Sequence, residues 1–80
     1  MAVIVDAKKV FENTRIVVYS YFNYDHPDDA GVILIDLSNI DAWQVFPPHA
    51  FPRTAELALL KAYRENQSTG GWPEIVSHIS

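Results

Sequence analysis

The chain has 80 residues, 49% of them hydrophobic and 12% aromatic, with no cysteine and a formal net charge of -4. A length this far below the usual domain size leaves room for one core, so residues 1–80 read as a single small domain, and the apolar content does not fit a disordered chain. Without cysteine there is neither a disulfide nor a thiolate metal site, and an acidic balance with scattered basic residues argues against a nucleic-acid backbone as partner.

At the N-terminus, MAVIVDAKKV has no basic region ahead of its apolar residues, which Asp6 interrupts, so a secretory leader is not expected. No apolar run approaches the roughly 20 residues of a membrane helix, so neither a membrane nor a non-cytoplasmic location is expected. Val3, Ile4 and Val5 favour a strand, whereas Ala7 to Asn13 fits either a helical turn or a continuing strand, with a break at Asn13. Thr14 to Tyr24, TRIVVYSYFNY, is dense in β-branched and aromatic residues and predicts a strand.

Asp25 to Gly31, DHPDDAG, carries turn formers and predicts a hairpin connection into a return strand, Val32 to Leu37. Trp43 to Phe46 offers a third run, and Pro47, Pro48 and Pro52 then stiffen a connector that cannot join an interior ladder. From Thr54 to Gln67 strong helix formers take over, with Thr54 as N-cap and Ala55, Ala58, Leu59, Ala62 and Tyr63 on one stripe. Ser68 to Gly71 ends that helix, and Pro73 followed by Glu74 predicts a short second one, Trp72 to Ile79. The expected fold class is therefore α+β: a small antiparallel meander of three to four strands, then one long and one short C-terminal helix packed on one sheet face.

Side chains alternate along a strand, which puts Ile16, Val18, Ser20 and Phe22 on one face and Val17, Tyr19 and Tyr21 on the other. The return strand likewise divides into Ile33, Ile35 and Leu37 against Val32 and Leu34. Both faces are apolar, yet the helices can cover only one. The other must be closed by the N-terminal segment, Val10 and Phe11 above all, by a second copy of the chain, or by a partner. Tyrosine tolerates a partly wet site and is enriched at interfaces, which points to Tyr19, Tyr21 and Tyr24 as contact residues, with Asp25, Asp28 and Asp29 on the adjoining loop.

Chemistry finds less support. Asp25, His26, Asp28 and Asp29 lack the spacing of a calcium loop and read as a solvated turn, and His26, His49 and His78 share no metal-ligand spacing. No nucleophile elbow or thiol is present, and Asp36, which interrupts an apolar strand, is either an inward carboxylate or a strand-end residue facing water. Neither a cofactor nor a metal is expected. A small enzyme or ligand carrier would have to draw on His26, Asp36 or His49.

The C-terminal stretch LLKAYRENQSTGGWPEIVSHIS, through Lys61, Tyr63, Arg64, Glu65, Asn66, Gly71, Trp72, Pro73 and Glu74, resembles small bacterial immunity proteins of contact-dependent and polymorphic toxin systems. The resemblance spans about a quarter of the chain and implies a cytoplasmic antitoxin-type inhibitor that neutralises a toxin domain by steric and electrostatic contact. That is the leading expectation for function. A homodimeric accessory subunit is the alternative, and an enzyme the third.

Overall fold

The structure, a computed structural model, describes residues 4–24, 26, 28–47 and 53–79, the side chains of residues 78 and 79 excepted. Strand β1 runs over Ile4–Glu12, β2 over Ile16–Asn23, β3 over Ala30–Asp36 and β4 over Gln44–Phe46, helix α1 covers Arg53–Thr69, and β5 covers Ile75–Ile79. A 3-10 turn at Ile40–Ala42 links β3 to β4. The strands form one antiparallel five-stranded sheet in the order β4-β3-β2-β1-β5, so a four-stranded meander is extended on its far edge by the strand that follows the helix.

The α+β class is as expected, but the strand count and the C-terminus differ. The segment left open between Ala7 and Asn13 belongs mostly to β1, which carries an irregularity between Lys9 and Phe11. Asn13 does break the chain: its Oδ1 accepts from the backbone N–H of Arg15 at 2.7 Å and of Ile16 at 2.8 Å, closing the β1–β2 turn through a side chain. The short helix expected over Trp72 to Ile79 is instead an extended lead into β5. A helix of so few residues gains little from propensity alone, whereas Ile75, Val76 and Ile79 are β-branched and the outer edge of β1 offers a ladder to join.

That lead is anchored before the strand begins. The Lys9 N–H donates to the Glu74 carbonyl at 2.8 Å, and the Tyr19 hydroxyl donates to the Pro73 carbonyl at 2.6 Å. The Lys9 ammonium also reaches the Trp72 carbonyl at 3.2 Å and the carboxylates of Glu12 at 2.7 Å and Glu74 at 3.1 Å. At the other end of α1, Thr54, expected as the N-cap, lies in the first turn, where its hydroxyl donates to Asp29, and Asn23 Nδ2 donates to the Thr54 oxygen at 3.3 Å. The helix stops at Gly70, whose φ of 82° suits a residue without a Cβ and whose N–H donates to the Asn66 carbonyl at 2.8 Å.

One face of the sheet carries the core. Val5, Ala7, Val17, Tyr19, Tyr21, Ile33, Ile35 and Val76 are buried there beneath Ala55, Ala58, Leu59 and Ala62 of α1. Leu37, Ile40, Trp43, Val45 and Trp72 pack around them. Tyr19 and Tyr21, expected on a contact surface, are 1% and 2% exposed. The alanines of α1 bring its backbone close to the sheet, and the two rings fill the space that small residues leave.

The two phenols differ in how they are satisfied. Tyr19 has its acceptor in Pro73, and burial, with help from the charges of Glu12, Glu65 and Glu74, holds its hydroxyl well above the usual tyrosine range. The Tyr21 hydroxyl is buried with no hydrogen-bond partner among the described residues. Removing a satisfied hydroxyl loses a bond, while removing an unsatisfied one relieves a desolvation cost. Tyr19→Phe is therefore expected to destabilise the fold by about 1 kcal/mol and Tyr21→Phe to leave it equal or more stable, as read by urea unfolding. Gly31 offers a second check, because a Cβ there would collide with the Phe46 carbonyl of β4 and stand 3.2 Å from the Pro47 ring. Gly31→Ala should cost roughly 1–3 kcal/mol by pushing β4 off the sheet.

Candidate functional site

The opposite face of the sheet is covered by no described residue. Pairing registers put its side chains in rows: Phe46, Val32, Ser20, Lys8 and Ile75 in one, Gln44, Leu34, Val18 and Phe11 in the next, and Ala30, Phe22, Asp6 and Ser77 in a third. Val10 and Phe11, one of the three covers the sequence allowed for this face, instead lie within β1, and Phe11 extends the row of Val18 and Leu34. The apolar side chains remain wet: Ile75 is 65% exposed, Phe11 51%, Phe46 47% and Phe22 37%. Burying such a surface is worth about 25 cal/mol for each Å² removed from water.

Carboxylates stand at two ends of this face. Asp6 accepts from the Ser77 hydroxyl at 2.7 Å and from the Tyr24 hydroxyl at 2.8 Å, and the Tyr24 ring meets Phe22 edge-on at 5.1 Å. The Ser77 bond, then the Tyr24 bond, holds the Asp6 carboxyl below its ordinary range. Asp36 closes the strand end of β3: its Oδ1 accepts from the Ser38 hydroxyl at 2.7 Å and the Ser38 N–H at 2.9 Å, and these bonds lower its pKa. It is a turn-closing carboxylate at the strand end, one of the two roles its sequence position allowed. A surface groove of about 470 Å³ beside it is lined by Thr14, Arg15, Ile16, Asp36, Leu37 and Ser38, with no histidine among the described lining residues.

The contact set expected from the sequence is split by the fold. Tyr19 and Tyr21 are in the core, and Asp29 is bonded to Thr54 and Asn23 at the start of α1. Tyr24 and Asp28 are exposed, Asp25 lies outside the described residues, and so does His49. No group of three or more His, Asp or Glu placed to hold a metal ion occurs among the described residues. No helix among them is long and apolar enough to cross a membrane. The residues that sequence reasoning passed over are Val18, Phe22, Val32 and Leu34, although strand alternation already grouped them in pairs. The missing signal was the alanine content of α1, which marks the tyrosine face as the one the helix covers.

The chain matches no protein-family model, no curated protein and no solved structure.

The carboxylate cluster yields a pH dependence with a definite sign. A carboxyl held below its unfolded value contributes stability that is present above that value, near pH 3.9, and is lost as pH falls through the lowered folded value. A carbon-detected NMR titration should place the Asp6 midpoint below that of an ordinary aspartate. Ser77→Ala should raise it more than Tyr24→Phe does, and an unshifted midpoint in the unaltered protein would mean the cluster does not form in solution.

Proposed function

We propose that this chain is a protein-binding module that engages its partner through the uncovered face of the sheet. One observation carries the proposal: Phe46 and Val32 in one row and Leu34, Val18 and Phe11 in the next form an apolar band across β4 to β1, exposed at Phe46 and Phe11 and half-buried at Val18, Val32 and Leu34, with exposed Phe22 at its side and no described residue over it. An antiparallel sheet with a free face ordinarily turns polar residues to water on that side. Exposed bands of this kind mark contact sites in soluble proteins.

The occupant that fits is a folded protein whose surface is apolar at its centre and basic at its rim. The band is flanked by the carboxylates of Asp6 and Asp36, with the cations Lys8 in the Ser20 row and Arg15 beside Asp36, and the chain carries a net charge of -4, so a predominantly basic rim would be steered toward it. The resemblance of the C-terminal quarter to immunity proteins gives this module its specific form, an antitoxin-type inhibitor that occludes a toxin domain without chemistry of its own. Tyr24, beside Phe22 and bonded to Asp6, is the aromatic residue of the originally expected set that lies at this surface.

The test uses the protein encoded beside this one and calorimetric titration. Leu34→Asp, at the centre of the band, is expected to weaken binding at least a hundredfold, roughly 3 kcal/mol. Leu60→Asp, on the exposed side of α1, should leave it unchanged. Equal binding by the Leu34→Asp variant, or no binding by the unaltered chain, would count against the proposal.

A further inference from the structure

Strand β5 is an edge of the sheet, and its backbone is addressed outward in a regular way. In an antiparallel pair, residues opposite each other alternate between exchanging both backbone bonds and exchanging none. The Lys9 N–H donates to the Glu74 carbonyl, which makes that pair a bonded one. The register Ala7↔Val76 and Val5↔His78 continues the series, so Val76 and His78 turn their N–H and C=O groups toward β1. On the other side of β1, the Tyr24 N–H donates to the Ile4 carbonyl, which fixes the even residues of β1 on β2 and leaves the odd ones for β5, in agreement. Ile75, Ser77 and Ile79 therefore present their backbone groups away from the sheet.

Natural sheet edges are usually blunted by proline, lysine, a bulge or extreme shortness, because an open row of donors and acceptors pairs with other chains. Ile75-Val76-Ser77-His78-Ile79 contains no proline, lysine, arginine or acidic residue, and its pairing with β1 is regular over all five positions. The opposite edge, β4, is three residues long and ends at Pro47. The two edges are thus treated differently, and among the described residues β5 is the one left unblunted.

From this we infer that β5 pairs antiparallel with β5 of a second copy, about a two-fold axis through Ser77. In that register Ser77 faces its own counterpart and position 75 faces position 79, each pair exchanging both backbone bonds. No other two-fold register engages all three outward residues of each strand. It also sets no acidic residue against another across the new ladder, although each chain carries a net charge of -4, because Glu74 lies beyond the paired stretch and is held by Lys9. A basic or acidic peptide gains nothing from an uncharged strand, whereas a second copy supplies an identical uncharged one. Joining the two sheets makes the uncovered faces contiguous, so the pairing would present the proposed binding band twice on one surface. The pairing does not depend on what that band binds.

Amide exchange and sedimentation test it together. A five-residue strand pair buries little surface compared with stable interfaces, so association is expected in the high micromolar range. In the dimer the amides of Ile75, Ser77 and Ile79 should be protected along with those of Val76 and His78. In a monomer, protection should alternate. Ser77→Pro removes an outward donor without touching the ladder to β1, and it should return the mass to that of a monomer, while Ser77→Ala, which keeps the amide, should not. A monomeric mass at millimolar concentration with alternating protection would overturn the inference, as would a dimer that persists in folded Ser77→Pro. The exchange pattern of the unaltered protein decides the matter even if the proline variant fails to fold. Leu34→Asp tests the binding band separately, since it lies far from this edge in the strand order.

Discussion

The packing of two tyrosine rings beneath an alanine-lined helix is the constraint on which the other features rest. Ala55, Ala58 and Ala62 let α1 lie close to the sheet, and Tyr19 and Tyr21 supply the volume that a chain of this size cannot spare from elsewhere. Because the described residues give the sheet one α-helix to cover it, choosing the tyrosine face for the core leaves the other face without a described cover. The band of Val18, Val32, Leu34 and the phenylalanines is the direct consequence of that choice.

Polar groups reinforce the same arrangement from both ends of the helix. Asp29, Asn23 and Thr54 tie the β2–β3 connection to the first turn of α1, and Lys9 with Tyr19 holds the lead into β5. Asp29, which looked available for a partner, is thereby engaged within the fold. At the rim of the uncovered sheet face, Asp6, Ser77 and Tyr24 are bonded into one cluster.

Much of the fold was legible in the sequence because its signals are local. The β-branched and aromatic density of residues 14–24, the turn formers that follow and the alanine-leucine stripe of residues 54–67 each specify an element without reference to the others. Asn13 and Gly70 likewise act through their own backbone neighbours. The C-terminus was not legible, since Pro73-Glu74 begins a helix or leads into a strand with equal ease, and only the open edge of β1 decides between them. Which face of the sheet is covered was not legible for a related reason. Tyrosine tolerates water better than valine or leucine, but which face is wet is set by the size of the helix residues opposite, a relation between segments more than 30 positions apart in sequence.

The proposed contact role rests on three features of the described residues: an apolar face left open, carboxylates at its ends, and an edge strand left unblunted. Hydroxyl-radical footprinting of the chain, alone and with the proposed partner of the titration above, tests the central claim most directly. Phe11, Phe22 and Phe46 should oxidise readily in the free chain and become protected in the complex, while Leu60 on α1 keeps its reactivity. Protection confined to α1, with the three phenylalanines as reactive as before, would contradict the account.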